Sequence, residues 1–249
     1  MAVPRPAAER REDLVALYRE ARPCTLCPLH EGRTQVVFGN GNADADLMFV
    51  GEAPGFHEDA QGVPFVGRAG RLLDELLGEQ GLARGDVFVA NVLKCRPPDN
   101  RDPQPDEIET CRPYLERQIE LIEPRVICTL GNFATKLLSG SPRGITQVHG
   151  TPQERELGGR GVRLYPLFHP AAALRTPRVR EQLREDFALL PALLALAPPA
   201  PAGGTPPRPS EREGAEAVAE ASGRTTDGLD GRDRPEPGPP GCDQLGLFG

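Results

Sequence analysis

Between residues 8 and 197, short continuous apolar runs alternate with segments of helical periodicity. The runs predict buried strands, because a strand covered on both faces shows no polar alternation. Apolar residues spaced by three and four mark the helices between them. Four strands are predicted at residues 47–50, 86–92, 125–131 and 162–170, and helices at 8–22, 67–81, 105–124, 132–140 and 178–190. This order predicts an α/β fold, a three-layer αβα sandwich around a central parallel four-stranded sheet.

Three of the predicted strands end in polar or glycine-rich sequence. Gly51 closes the first strand, Asn91 lies at the end of the second, and His169 at the end of the last. The carboxyl ends of parallel strands share one edge of the sheet, where ligands bind in folds of this class. We therefore expect these three positions to converge on one site.

The last 52 residues have a different composition. Residues 198–249 contain ten Pro and ten Gly, and up to residue 241 their only large apolar side chains are Val218 and Leu229. Such a segment buries too little apolar surface to offset the entropy of ordering it. We predict a globular domain at 1–197 and a disordered tail at 198–249.

Charge and hydropathy exclude several classes of protein. No apolar run approaches the roughly 20 residues that a membrane-spanning helix needs, and residues 1–13 lack the apolar stretch of a secretory signal, so we expect a cytoplasmic monomer with no membrane partner. The net charge is −7, of which −4 lies in the tail, with its nine acidic and five basic residues. Binding to nucleic acid would therefore depend on a local arginine cluster.

Four cysteines form a candidate metal site. Cys24 and Cys27 are a CxxC pair in a predicted turn, and Cys95 and Cys111 supply two further thiols. Four thiolates suit either zinc or an iron–sulfur cluster, and the spacing does not choose between them. The alternative is that Cys95 and Cys111 are ordinary buried thiols. Cys128, within an apolar run, is expected in the core.

Residues 51–70 form a loop rich in glycine and proline. Its glycines allow close approach of the backbone to a ligand, and Phe65 offers a face for stacking. Glu52 and Glu58 are its candidate catalytic carboxylates, with simple solvation as the alternative.

Four motifs in this order resemble the family 4 (type a) uracil-DNA glycosylases: GEAPG, PFVGRAG, NVLKCRPPDNRDP and HPAAALR, with CTLCPL matching the N-terminal turn. The resemblance spans about residues 10–195. It implies the uracil-DNA glycosylase fold, release of uracil from DNA to begin base excision repair, and a [4Fe-4S] cluster on Cys24, Cys27, Cys95 and Cys111.

The resemblance also implies roles for individual residues. Phe65 would stack on the flipped uracil, Asn91 would read its edge, and His169 would stabilise negative charge at uracil O2. Glu52, and more weakly Glu58, would assist catalysis. Gly51 and Ala53 complete the uracil pocket, and Ala53 stands where the best-known uracil glycosylases carry a water-positioning Asp.

The loops at the strand ends are expected to contact DNA. Leu174 is a candidate wedge that fills the gap left by the flipped base, and arginines flanking the strand ends would bind phosphates: Arg68, Arg71, Arg96, Arg101 and Arg175. A surface arginine or a core leucine is the alternative for each.

Three other functions remain open at this point. They are a non-catalytic DNA-binding or clamp-associated scaffold with the same fold, a zinc-bound nuclease or hydrolase, and a type b-like glycosylase of broader substrate range. The sequence departs from type b relatives in its polar residues at the site, which favours a narrow preference for uracil.

The end of the tail interrupts its polar composition. QLGLF resembles the pentapeptide that binds the bacterial sliding clamp, and its contact residues would be Gln244, Leu245, Leu247 and Phe248. A chance apolar terminus is the alternative. The resemblance implies the DNA polymerase sliding clamp as a partner.

Overall fold

The computed structural model describes residues 5–199, so residues 200–249 of the predicted tail, with the QLGLF motif, lie outside the described residues. The strands are β1 (Asn40–Gly41), β2 (Leu47–Gly51), β3 (Phe88–Asn91), β4 (Val126–Leu130), β5 (Gln153–Leu157) and β6 (Arg160–Leu167). The helices are α1 (Ala7–Ala21), α2 (Leu29–Gly32), α3 (Phe56–Gln61), α4 (Arg68–Glu79), α5 (Pro105–Ile122), α6 (Asn132–Ser139), α7 (Ile145–Val148), α8 (Pro170–Ala173), α9 (Pro177–Phe187) and α10 (Leu190–Ala195).

The sheet has the order β1-β3-β2-β4-β6-β5. Its four central strands are parallel, which confirms the predicted sheet. Two antiparallel edge strands were not predicted. β1 is only two residues long, and β5 reads QEREL, so neither carries the apolar run that identified the other strands.

Apolar side chains fill both faces of the sheet. Met48 and Val50 of β2 pack with α1 and α5 on one face, whereas Leu47 and Phe49 pack with α4 and α9 on the other. Because successive strand residues point to opposite faces, one apolar strand contributes to both layers. The three-layer sandwich is thereby confirmed, and Cys128 is fully buried in β4 as expected.

Several helical regions differ from the prediction, which included none of the short helices α2, α3, α7 and α8. The loop after β2 contains the short helix α3, which ends at Gly62 in a left-handed conformation (φ 73°). The helix predicted at 178–190 is instead α9, which ends at Phe187, followed by α10, which has a proline in its first turn. No helix within residues 5–199 is long and apolar enough to cross a membrane.

Candidate active site

The three strand ends meet in one cavity of about 420 Å³. Asn91 is the register partner of Gly51 across β2 and β3, and His169 follows β6. The cavity is lined by Glu52, Ala53, Pro54, Gly55, Glu58, Phe65, Ala69, Asn91, Pro97, Asn100, Arg101, His169, Ala171 and Arg175. The structure thus brings the predicted uracil-binding and catalytic side chains together.

Gly51 lets two of these side chains approach each other. A Cβ atom at this position would lie 2.7 Å from Phe65 Cζ and closer still to Asn91 Oδ1, so no larger residue fits. The Asn91 side chain is only 2% exposed, and its Oδ1 has no hydrogen-bond partner within residues 5–199. A buried acceptor without a donor is costly in a folded protein, and this one lies in the wall of the cavity.

Phe65 occupies the left-handed region, with φ 55°. Three contacts hold its turn. Glu58 Oε1 accepts hydrogen bonds from Val66 N and Gly67 N, both at 3.0 Å; Arg84 Nη2 donates to the carbonyl of Pro64 at 2.6 Å; and Gly70 leaves room for the carbonyl of Phe65, which a Cβ there would overlap. The turn therefore fixes the Phe65 ring in the cavity wall.

His169 faces the cavity as a neutral ring. Its Nδ1 accepts a hydrogen bond from Ala171 N at 3.1 Å at the start of α8, which assigns the ring proton to Nε2. Burial lowers the pKa of His169 to about 4, although the charge of Glu58 acts in the opposite direction. At neutral pH His169 thus offers an uncharged N–H donor.

The two predicted carboxylates have different surroundings. Burial, assisted by the charge of Asp102, raises the pKa of Glu52 to about 7, so Glu52 exchanges a proton near neutral pH. Glu58 instead accepts hydrogen bonds with one oxygen from two backbone amides of the Phe65 turn. Glu58 therefore stabilises the conformation of this loop.

The predicted DNA contacts are not all equivalent. Arg175 lines the cavity and is exposed, as is the neighbouring Leu174, at 37%. Arg101 also lines the cavity, but its guanidinium forms a two-pronged ion pair with the buried Glu107, at 2.6 and 3.0 Å. A phosphate would compete with this pair for Arg101. Arg68 and Arg71 lie exposed on α4 and do not line the cavity.

A second, smaller cavity is lined by Cys24, Cys27, Cys95 and Cys111. Burial raises the pKa of the Cys111 thiol to about 11. Two of the sulfurs accept hydrogen bonds at 3.3 Å, Cys95 from Arg33 Nη1 and Cys111 from Lys94 N. Within the described residues, however, no three cysteine, histidine or acidic side chains are grouped closely enough to hold a single metal ion.

Lys94 is a buried residue that the sequence reasoning missed. It is 2% exposed, and its Nζ donates to the carbonyl of Asn91 at 2.7 Å and to Gln118 Oε1 at 2.6 Å. Gln118 in turn donates to the carbonyl of Phe38 at 2.9 Å. The available signal was the rarity of lysine, since Lys94 and Lys136 are the only lysines in the chain.

A comparison with known protein families agrees with this geometry. The family model described as the uracil DNA glycosylase superfamily matches residues 38–190, which include the four parallel strands and every residue of the candidate active site. The chain belongs to this superfamily.

Individual relatives narrow the class. The type-4 uracil-DNA glycosylase of Thermotoga maritima is 50% identical over 181 residues, which are 71% of this chain and 93% of that protein. The type-4 uracil-DNA glycosylase of Archaeoglobus fulgidus is 47% identical over 180 residues, 71% of this chain and 90% of that protein. A type-5 uracil-DNA glycosylase of Pyrobaculum aerophilum is 29% identical over 150 residues, 53% of this chain and 63% of that protein. Within the superfamily, the chain belongs to the type-4 uracil-DNA glycosylase family.

Proposed function

We propose that this protein removes uracil from DNA by hydrolysing the N-glycosidic bond, and so begins base excision repair. One observation carries the proposal: the buried Asn91 Oδ1, which has no partner in the described part of the chain, shares a cavity with the Phe65 ring and with the neutral His169. In a uracil turned out of the DNA stack, Asn91 would face the hydrogen-bonding edge, Phe65 the flat face of the ring, and His169 the O2 oxygen. The 43–50% identity to five type-4 uracil-DNA glycosylases supports it.

Asn91 supplies the selectivity. Its Oδ1 accepts from uracil N3–H, while its amide donates to uracil O4. Cytosine presents an acceptor at N3 and an amino donor at C4, so it would leave Oδ1 facing a lone pair. A buried polar group left unpaired costs about 1–3 kcal/mol.

His169 supplies charge stabilisation. As the bond from C1′ to N1 breaks, its electron pair moves into the uracil ring and negative charge gathers on O2. The Nε2–H of neutral His169 donates to that oxygen, and a donor placed in advance lowers the barrier by electrostatic stabilisation. Water then forms the new bond to C1′ and loses one proton, so one proton is released for each uracilate anion that departs.

Glu52 is proposed to act on the sugar side of the reaction. Ala53 has no group that binds water, whereas Glu52 lines the same cavity and titrates near neutrality. In its ionised form it would stabilise the positive sugar and accept the proton of the attacking water. Glu58 is proposed to position Phe65 rather than to touch substrate.

Cys24, Cys27, Cys95 and Cys111 are proposed to hold a [4Fe-4S] cluster. The four thiols line one cavity, and four thiolates are the usual ligand set of such a cluster. Burial raises the pKa of the Cys27, Cys95 and Cys111 thiols, so bound positive charge would be needed to keep these three sulfurs ionised at neutral pH. When bound, the cluster supplies a structural crosslink between the turn after α1, the segment after β3, and α5.

The remaining assignments are proposals of the same kind. Arg175 and Leu174 are the favoured DNA contacts. Arg68 lies outside the cavity, and Arg96 and Arg101 already form contacts within the protein. We propose a cytoplasmic monomer whose residues 198–249 tether it to the sliding clamp through Gln244, Leu245, Leu247 and Phe248. Deletion of residues 243–249 should abolish clamp pulldown and leave uracil release unchanged.

The decisive assay is uracil release from a uracil-containing oligonucleotide, with alkaline cleavage of the resulting abasic sites. Wild type should release uracil and leave cytosine, and Asn91→Ala should lose most of this activity. Absence of release by the brown, iron-loaded wild type would favour the non-catalytic scaffold, and efficient release of hypoxanthine would favour a type b-like range. Neither the scaffold nor the nuclease is favoured by the family match.

A further inference from the structure

An exposed aromatic side chain stands beside the cavity. Phe56 is 51% exposed, and it is the only aromatic among the strongly exposed large apolar side chains of residues 5–199, with Leu26, Leu174, Leu189 and Leu196. It opens α3 directly after Gly55, which lines the cavity. The ring therefore presents apolar surface to solvent next to the site.

Arg96 holds this ring in place from the neighbouring loop. Its guanidinium carbon lies 5.3 Å from the centroid of the Phe56 ring, which is a cation–π contact. Arg96 Nε also donates to Asn100 Oδ1 at 2.8 Å, and both Asn100 and Pro97 line the cavity. The rings of Phe56 and the adjacent His57 lie 5.5 Å apart and are inclined by 80°. Phe56 and Arg96 are therefore a supported pair and not two free surface side chains.

The sheet order places this pair and Leu174 on different sides of the cavity. Phe56 follows β2 and Arg96 follows β3, whereas Leu174 follows β6, and β4 lies between β2 and β6. A DNA strand that delivers a nucleotide into the cavity while meeting Leu174 on one side passes the Phe56–Arg96 pair on the other.

We propose that Phe56 and Arg96 form a stacking site for an unpaired base of the same strand, next to the flipped uracil. An aromatic ring backed by a guanidinium suits the flat, electron-rich face of a nucleobase of any sequence. The site favours single-stranded DNA, because the neighbouring bases of a duplex are already stacked in the helix. The inference deepens the proposed glycosylase function and depends on it.

The test compares kcat/KM for uracil release from single-stranded and duplex oligonucleotides. Phe56→Ala should lose about tenfold on the single strand, mainly in KM, and less than about twofold on the duplex. Phe56→Tyr should keep activity on both. Leu189→Ala, which removes an exposed apolar side chain far along the chain from the site, is the matched control and should change neither.

A fluorescence measurement reports the stack itself. The adenine analogue 2-aminopurine, placed beside a non-cleavable abasic site in single-stranded DNA, should be quenched by wild type and by Phe56→Tyr but not by Phe56→Ala. If Phe56→Ala folds poorly, Phe56→Leu gives the same contrast, because it keeps the volume and loses the ring. The stacking site would be overturned if Phe56→Ala lost equal activity on single strand and duplex, or if it quenched 2-aminopurine as strongly as wild type does. A wild type that releases no uracil would instead overturn the glycosylase function.

Discussion

Lys94 Nζ donates a 2.7 Å hydrogen bond to the main-chain carbonyl of Asn91. The backbone amide of the same lysine donates to Cys111 Sγ. One buried residue thus connects the cysteine cavity to the residue proposed to read uracil, which relates two sites that the sequence had presented separately.

Replacing Lys94 by Met should weaken both sites. The carbonyl of Asn91 and the Gln118 side chain would lose their charged donor, and hydrogen bonds to charged groups contribute about 1.5–3 kcal/mol each. We expect a lower thermal midpoint and reduced kcat/KM for uracil release. Lys136→Met removes the other lysine, exposed on α6, and should leave both quantities unchanged; equal effects of the two variants would contradict the role of Lys94.

Gly51→Ala should block uracil while leaving the fold intact. The added Cβ would displace Phe65 and Asn91, and misplacement by about 1 Å near a reacting group costs on the order of 10²-fold in rate. Steady-state kinetics and circular dichroism give the two readouts. Gly78→Ala, in open space on α4, is the control and should be stabilised by about 0.5–1 kcal/mol.

His169→Ala should lose far more kcat than Glu58→Gln. Loss of a donor to a developing oxyanion costs roughly 10²–10³-fold. Glu58→Gln keeps an oxygen that accepts from Val66 N and Gly67 N, so the Phe65 turn should persist with a small loss. Single-turnover rates measure the chemical step directly, and comparable losses for the two variants would reverse the ranking.

The rate of uracil release should rise with pH through about 7. Burial raises the pKa of Glu52 to about 7, so its carboxylate forms only above that pH, whereas His169, with its pKa lowered to about 4, is neutral throughout. Glu52→Gln should flatten this limb of the profile. A rise of the rate through pH 7 that survives in Glu52→Gln would assign the titration to another group.

The raised pKa of Glu52 also makes the stability of the protein depend on pH. The folded-state pKa exceeds the ordinary value of 4.5, so the contribution of Glu52 to stability is greatest below pH 4.5 and falls as pH rises to 7.

Cys111→Ser should lose bound iron, the brown colour and thermal stability together. Cys128→Ser changes a buried thiol of β4 that does not line the cysteine cavity, and it should retain iron. Elemental analysis and visible absorption distinguish the two variants. Full iron content in Cys111→Ser, or stoichiometric zinc in wild type, would contradict the cluster.

The sequence predicted the parts of the fold that apolar burial dictates. The four parallel strands and the long helices were found because runs such as residues 47–50 have one physical explanation. β5 was missed because an edge strand needs no apolar run, and α3 because six residues give almost no periodicity. The contacts of Lys94 with Gln118 and of Gln118 with Phe38 could not be predicted, because they join segments 24 and 80 residues apart in the sequence.

The left-handed turn at Phe65 has a consequence for how the enzyme searches DNA. A non-glycine residue in this conformation is strained by about 1–3 kcal/mol, and only the surrounding contacts maintain it. The free energy of this strain is offset during folding, so the Phe65 ring is already in its binding position before a nucleotide enters the cavity. Normal bases greatly outnumber uracil in DNA, and each of them can enter the cavity briefly. Because the Phe65 ring is held rigidly, the cavity does not change its shape to accommodate the wrong base.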